Sequence, residues 1–431
     1  MRRMLIPLFA VGLLPISSVA QFRLQDSPPP TPKLIKAGRI LDVKNGKYIL
    51  NQGILTEGER IKELGPWEQI QGRAPKGATI IDLSQATVLP GLIDAHSHLL
   101  VSMDPQMTGG QAITTAVTLM SPEFRTLIGA LHAKEYLEAG VTSVRVVGHS
   151  GIAGDIALRD GIRSGLVPGP RLQAAGRKLT PAGGQAMYLQ PALAKQILEQ
   201  EFVTVSGPEE ARKAVRESLA MGANLIKIAI DAGAGPFWKF RYMAPEDAKA
   251  IAEDAHRLGL RVAAHAVDQV AIQTAIDAGV DSIEHAFLAT DEQLHQMKDK
   301  GIFLVATDIP DNGGSPESKD RLQRAQKLGV KVALGSDLWS PISGKTYGQA
   351  ALLDMEALHD EGMSNVEVIR SATLNAAELM GWSDLVGQIA AGKLADIIAV
   401  SADPLQDVTS LQHVRFVMKG AKVVKNELTV N

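Results

Sequence analysis

Residues 244–266 read APEDAKAIAEDAHRLGLRVAAHA, a helix-length amphipathic segment that leads into a short apolar run. The segment begins with Pro and acidic residues and reaches Gly259 before the apolar run, as helix termini prefer. Residues 208–222 have the same texture ahead of LIKIAI at 225–230. This alternation predicts βα units that build a parallel sheet.

Eight short apolar runs follow one another through the middle of the chain. They are GLIDAHSH (91–98), VTSVRVVG (141–148), PRLQAAG (170–176), LIKIAI (225–230), RVAAHA (261–266), SIEHAF (282–287), GIFLVAT (301–307) and KVALGSD (331–337). Eight parallel strands with helices between them predict a closed (β/α)8 TIM barrel, which we expect to form the catalytic domain over residues 91–384. A doubly wound open sheet is the alternative, but no glycine-rich phosphate-binding fingerprint follows any of the runs.

Both ends of the chain carry short, strand-like sequence bounded by turn residues. Residues 33–90 and 385–431 alternate apolar and polar side chains between Gly, Asn and Lys. Neither end alone offers enough apolar surface for a core of its own. The predicted fold class is therefore α/β, a TIM barrel with a small composite β-sandwich domain formed by both chain ends.

The first 20 residues are typical of a secretory signal peptide, with Arg2 and Arg3 ahead of an apolar stretch and a small-x-small site that ends at Ala20. A transmembrane anchor is the alternative, but the stretch is shorter than the ~20 residues that a bilayer requires. A Pro-rich tether follows over residues 21–32. The absence of cysteine suits an oxidising compartment. We therefore expect a periplasmic or secreted protein with no membrane contact after signal cleavage.

The composition excludes several classes of function. The 431-residue chain balances 44 Lys and Arg against 47 Asp and Glu, and only 4% of its residues are aromatic. Without a basic run or an aromatic stacking platform, a nucleic-acid partner has no support. A chain without cysteine has no Cys-ligated zinc site and no Cys nucleophile. Any metal ion must therefore be held by His, carboxylate or a less usual group.

Titratable side chains lie at the carboxyl ends of several predicted strands, where barrel active sites lie. His96 and His98 end the first strand, His265 and His285 end two consecutive strands, and Asp337 ends the last. Each histidine alone is more often a satisfied core residue than a ligand. Their convergence on one rim predicts a metal site, in which Asp337 can also accept a proton.

Lys227 lies inside an otherwise apolar strand. A buried ammonium is costly unless it is paired or chemically changed. An ion pair with a buried carboxylate is one interpretation. The other is a lowered pKa that lets the neutral amine take up carbon dioxide, which gives an anionic carbamate able to bridge two cations.

The segments VLPGLIDAHSHL, IKIAID, AAHAVD, SIEHAF and ALGSD together resemble the amidohydrolase superfamily, specifically its binuclear members with a carboxylated lysine. The resemblance implies two divalent metal ions on six residues, His96, His98, Lys227, His265, His285 and Asp337. N6-carboxylysine at Lys227 would bridge the two ions together with a hydroxide, and Asp337 would carry the proton to the leaving amine. Imidazole and oxygen ligands favour Zn²⁺, with manganese or cobalt as alternatives.

Residues 157–177 and 254–266 resemble the prolidase-like, imidazolonepropionase-related branch of this superfamily. Its members include exported bacterial enzymes that cleave ochratoxin A to ochratoxin α and phenylalanine. The resemblance implies a carboxypeptidase-like hydrolase acting on an amide bond to a C-terminal amino acid, with ochratoxin A as a candidate substrate. The alternatives are an Xaa-Pro or other dipeptidase, an N-acyl amino acid hydrolase, and a lactonase or cyclic-amide hydrolase on the same site. The branch also implies a homo-oligomer, for which an octamer is one candidate assembly.

Five residues near the predicted rim are candidates for substrate contacts, His149, Arg171, Gln185, Tyr242 and Thr307. Arg171 could bind a carboxylate bidentately. Gln185 follows Gly183 and Gly184, where many relatives in this branch have His. A non-catalytic binding protein on the same scaffold would be expected to lack a ligand residue, and every ligand position is filled here.

Overall fold

The computed structural model describes residues 31–102, 104, 109–185, 190–231, 242–309 and 316–428. The predicted signal peptide and almost all of the predicted tether lie outside these residues, so both stay predictions. Among the described residues, no helix combines the length and the apolarity that a membrane span needs.

The strands of the described residues are numbered in chain order. They are β1 (Lys33–Asp42), β2 (Lys47–Glu57), β3 (Arg60–Pro66), β4 (Thr79–Pro90), β5 (Leu92–Ser97), β6 (Val141–Val146), β7 (Arg171–Ala174), β8 (Lys178–Thr180), β9 (Phe202–Thr204), β10 (Ile226–Ala229), β11 (Val262–Ala266), β12 (Ser282–His285), β13 (Phe303–Val305), β14 (Val332–Ala333), β15 (Ile397–Val400), β16 (Phe416–Lys419) and β17 (Lys422–Asn426).

The helices are numbered in the same way. They are α1 (Trp67–Gln71), α2 (Gly109–Leu119), α3 (Pro122–Glu138), α4 (Gly154–Arg163), α5 (Pro191–Glu201), α6 (Pro208–Ala220), α7 (Pro245–Arg257), α8 (Gln269–Ala278), α9 (Asp291–Lys300), α10 (Pro316–Leu328), α11 (Tyr347–Ala351), α12 (Leu353–Asp360), α13 (Asn365–Arg370) and α14 (Ala376–Leu379). The two amphipathic segments quoted from the sequence form α6 and α7, and both helices begin at a proline.

Strands from both chain ends share one seven-stranded sheet, in the order β17-β16-β15-β4-β1-β2-β3. β15 runs antiparallel to β4, with Ala399 opposite Val88, and β1 runs parallel to β4. Ile35, Ile54 and Phe416 belong to one buried cluster on this sheet. The alternating strands at the two ends therefore complete a common core, while the sandwich arrangement and the domain boundaries stay predictions.

All eight apolar runs contain strands, and these strands are parallel. They fall into a three-stranded sheet, β5-β6-β7, and a seven-stranded sheet, β14-β13-β12-β11-β10-β8-β9. The α/β class is confirmed, but the described strands do not form one closed ladder. At one seam the short β8 lies beside β10, and Ala174 N–H donates to Oδ1 of Asn224 at 2.7 Å instead of to a neighbouring strand.

The second seam is joined just beyond β14. Ala95 N–H donates to the carbonyl oxygen of Leu334, and Asp337 N–H donates to that of His96, each at 2.8 Å. These two bonds bring the carboxyl end of β5 against the segment that follows β14. The first and last predicted strands are therefore neighbours, which places their terminal side chains at one rim.

Candidate metal and substrate site

His96, His98 and Asp337 form a buried group at this rim. Side chains two apart on a strand point to the same side, which places both histidines on one face of β5 and its extension. Oδ1 of Asp337 lies 3.4 Å from Nε2 of His96 and 3.0 Å from Nε2 of His98. One ligand atom from each residue lies within 4.8 Å of the other two, so the group could hold a metal ion.

The protein also holds the outer ring nitrogens of these two histidines. Nδ1 of His96 lies 2.5 Å from Oε2 of Glu284, and Nδ1 of His98 lies 3.0 Å from the carbonyl oxygen of Gly148. When Nδ1–H donates to such an acceptor, the Nε2 lone pair is free for a metal ion. Burial lowers the pKa of His98 to about 4, which keeps its imidazole neutral near pH 7.

Asp337 is a carboxylate in this setting. Burial opposes its ionisation, but the neighbouring His96 and His98 outweigh that effect and hold the pKa of Asp337 well below its usual range. Nε1–H of Trp339 donates to Oδ1 of Asp337 at 2.8 Å, and the Trp339 ring centroid lies 4.3 Å from that of His98. The sequence reasoning missed Trp339, for which its position two residues after Asp337 was the available signal.

His285 and His265 lie beside this group. The ring centroid of His285 is 5.2 Å from that of His96 and 4.6 Å from that of His265. Nδ1 of His285 lies 2.8 Å from the hydroxyl oxygen of Thr307, and Nε2 of His265 lies 3.0 Å from a carboxylate oxygen of Asp231. Burial lowers the pKa of both histidines. The four predicted histidines are therefore adjacent, and Thr307 contacts a predicted ligand.

Lys227 lies on β10 with 1% of its surface exposed. Its Nζ has no hydrogen-bond partner among the described residues. Burial lowers the pKa of Lys227 to about 8, although the nearby negative charge of Glu284 opposes the shift. The ion pair between Lys227 and a buried carboxylate, which was one interpretation of the sequence, is therefore absent from the part of the chain described here. The amine is poorly solvated.

The remaining candidates for substrate contacts divide into two sets. The ring centroid of His149 lies 5.2 Å from that of His98, so His149 borders the site. Gln185 is linked to His149 by Lys178, whose Nζ contacts both side chains. Arg171 instead lies at the amino end of β7 and donates to Asp396 from Nε at 2.8 Å. The structure does not bring Arg171 to the site, because the carboxyl end of β7 faces the site and Arg171 lies at the opposite end of this strand.

Tyr242 also has a local partner. Its hydroxyl donates to the carboxylate of Asp268, and that carboxylate caps the amino terminus of α8 by accepting from Val270 N–H and Ala271 N–H. The Tyr242 hydroxyl is therefore engaged at the start of α8.

Lys178 and Glu284 complete the site and were missed from the sequence. Lys178 lies on β8, and its Nζ is 2.5 Å from Nε2 of His149 and 3.1 Å from Oε1 of Gln185. Glu284 lies one residue before His285 and is fully buried. For Glu284 the signal was a charged residue inside a short apolar run, as for Lys227, whereas Lys178 follows Arg177 outside the eight runs and gave no such signal.

The chain is similar to known proteins along most of its length. The sequence profile of the amidohydrolase family matches residues 87–424. Ochratoxinase from Aspergillus niger is 31% identical over 383 residues, which cover 78% of this chain and 75% of the relative. Imidazolonepropionase from Geobacillus kaustophilus is 25% identical over 408 residues, which cover 88% of this chain and 91% of the relative.

Solved structures show the same relationship. A Xaa-Pro dipeptidase with methionine bound in its active site superimposes with a TM-score of 0.77 at 28% identity, over 92% of this chain and 100% of that one. The A. niger ochratoxinase structure superimposes with a TM-score of 0.78 at 26% identity, over 93% of this chain and 96% of that one.

Proposed function

Because the chain belongs to the amidohydrolase family, we propose that its buried histidine cluster hydrolyses an amide bond to a C-terminal amino acid. The chain is a hydrolase that acts on C–N bonds, as its relatives indicate. The observation that carries the proposal is the orientation of His96 and His98, whose Nδ1 atoms are held by protein acceptors while their Nε2 atoms face Asp337.

The residues present fit a pair of divalent metal ions. Two imidazoles and a carboxylate already converge, and the outer ring nitrogens of the imidazoles are held as they are in metal-binding histidines. The buried, unpartnered Nζ of Lys227 fits a carbamate, because carboxylation would replace a poorly solvated amine by an anionic ligand. We propose that His96, His98 and Asp337 would hold one ion, that His265 and His285 would hold the other, and that carboxylated Lys227 would supply an anionic ligand to both.

When bound, two such ions would polarise the scissile carbonyl and lower the pKa of water, and Zn²⁺ is the ion we propose. Asp337 is ionised and is placed to take the proton of the attacking water and to return it to the leaving nitrogen. Trp339 orients that carboxylate through its Nε1–H and covers one side of His98. Glu284 and Thr307 fix the rings of His96 and His285.

Ochratoxin A is the substrate that we propose first, since its amide bond to phenylalanine is of the required type. The ochratoxinase likeness supports this choice, and the likeness to a Xaa-Pro dipeptidase supports dipeptides as the second candidate. We further propose that the two parallel sheets are arcs of one (β/α)8 barrel joined to a composite domain of both chain ends. Export by the predicted signal peptide and assembly into a homo-oligomer complete the proposal.

The test is to incubate the zinc-loaded mature protein with ochratoxin A and to follow phenylalanine by chromatography. We expect release by the wild-type protein and almost none by Lys227→Met, whereas the exposed-surface control Lys298→Met should keep wild-type turnover. Absence of release from ochratoxin A would overturn that substrate. Absence of hydrolysis across N-acyl amino acids and Xaa-Pro dipeptides as well would overturn the proposed amide hydrolysis.

A further inference from the structure

Lys178 is a buried lysine whose contacts are neutral. Only 4% of its surface is exposed, and its Nζ lies 2.5 Å from Nε2 of His149 and 3.1 Å from Oε1 of Gln185. Among the residues that the structure describes, no carboxylate forms a salt bridge with it. Burial, together with the charge of Lys227, lowers the pKa of Lys178 well below its usual range. Because an anion from outside the chain would favour the ammonium form of this amine, the position suits such an anion.

The buried carboxylates nearby are committed to other partners. Oε1 of Glu201 lies 2.5 Å from Nη1 of Arg125, and its Oε2 lies 3.8 Å from Nδ1 of His149. Asp337 is held between His98 and Trp339. Nζ of Lys178 therefore has no carboxylate partner within the described site.

Lys178 is also next to the hydrolytic group. A Cβ built on Gly148 would approach Cγ of Lys178 to 2.6 Å, so the lysine stem packs directly over the Gly148 backbone. The carbonyl oxygen of Gly148 is the acceptor that holds His98, and His149 lies between Lys178 and the His98 ring. In a C-terminal amino acid one carbon atom separates the amide nitrogen from the carboxylate, so a group that binds this carboxylate must lie close to the hydrolytic residues.

We propose that Lys178 binds the α-carboxylate of the substrate's C-terminal amino acid, and that His149 and Gln185 hold its ammonium in place. This inference rests on the proposed amide hydrolysis and names a group that the substrate must carry. The two arginines flanking β7 are engaged elsewhere, because Arg171 donates to Asp396 and Arg177 donates to the carbonyl oxygen of Glu199.

The test compares an N-acyl-phenylalanine with its carboxamide, which keeps the scissile amide bond and lacks the carboxylate. We expect the wild-type holoenzyme to prefer the acid in kcat/KM by at least about tenfold, the effect of one charge-assisted contact. In Lys178→Met the ratio of the two kcat/KM values should fall to about one. The exposed control Lys298→Met should keep the wild-type ratio, and metal content and circular dichroism show whether each variant is folded and loaded.

A second variant protects the test against misfolding of the first. Gln185→Glu introduces a carboxylate where Oε1 now lies 3.1 Å from Nζ of Lys178, so the cation gains an internal partner. We expect KM for the acid to rise and the acid preference to fall. If both variants keep the wild-type preference, Lys178 does not bind the carboxylate and the proposed hydrolysis stands. If the wild-type protein hydrolyses neither compound nor any related amide, it is the proposed function that is overturned.

Discussion

Oε2 of Glu284 lies 2.5 Å from Nδ1 of His96, and both side chains are buried. Burial opposes ionisation of Glu284, but the charges of Arg145 and Lys227 outweigh it and hold the pKa of Glu284 well below its usual range. Oε1 of the same carboxylate lies 2.9 Å from Nη2 of Arg145. The carboxylate therefore fixes the ring of His96 and is itself fixed by a buried arginine.

The first prediction concerns this orienting carboxylate. Glu284→Gln keeps the shape of the side chain but removes the charge that accepts the proton of His96 Nδ1. Because a carboxylate that accepts from the outer nitrogen of a metal-binding histidine raises the basicity of that ligand, we expect metal affinity to fall by about 10- to 100-fold. Competition with a chelator measures the change, and the exposed variant Glu378→Gln is the control. Unchanged affinity would show that Glu284 serves folding alone.

The second prediction concerns Asp337. Asp337→Asn keeps the size of the side chain and loses the group that accepts a proton. General acid–base catalysis contributes typically 10² to 10⁴ in rate, so we expect kcat to fall by at least about 10² while at least one metal ion is retained. Metal analysis and steady-state kinetics on the same preparation separate the two effects, with Asp299→Asn as an exposed control. Unchanged turnover would remove Asp337 as the proton carrier.

The sequence predicted those site residues that meet because they lie at strand ends. His96, His265, His285 and Asp337 lie near the carboxyl ends of runs that form parallel strands, and such strands bring these ends together. The sequence did not predict the hydrogen-bond partners of these residues. Glu284 contacts a histidine that lies 188 positions away in the chain, and no periodicity predicts which strand faces which.

Short elements limited the prediction for the same reason. β8 has three residues, which is too few for an alternation pattern, so Lys178 was not recognised as buried. The register of β7 decides that Arg171 faces Asp396 rather than the site. Among the described strands the short β8 and β14 also interrupt the ladder, so the sequence could predict eight strands without predicting where their hydrogen bonding breaks.

The third prediction separates the two roles considered for Arg171. Its Nε and Nη2 donate to the two carboxylate oxygens of Asp396 at 2.8 and 3.1 Å, and the Asp396 side chain is almost fully buried. Arg171→Met removes the arginine from that carboxylate and leaves it, among the described residues, only the bond from Gly420 N–H, so we expect a loss of about 2–3 kcal/mol in the free energy of unfolding. KM for a carboxylate substrate should not change. A large rise in KM with unchanged stability would instead place Arg171 in substrate binding.

The fourth prediction concerns the pH dependence of stability, away from the histidine cluster. Glu361 is buried, and its Oε1 accepts from the hydroxyl of Ser318 at 3.2 Å. Burial, together with the negative charge of Asp308, raises the pKa of Glu361 to about 8. In the unfolded chain the same carboxyl has a pKa of about 4.3.

The sign follows from proton binding. Between pH 4.3 and pH 8, roughly, the folded protein keeps a proton on Glu361 that the unfolded chain has released, so stability falls as the pH rises through this window. Glu361→Gln removes this penalty. We expect the variant to gain about 2 °C more in Tm over wild type at pH 8 than at pH 5, measured by calorimetry at both pH values. The exposed variant Glu199→Gln should show no such difference, and an equal gain at both pH values would mean that Glu361 is ionised in the folded protein.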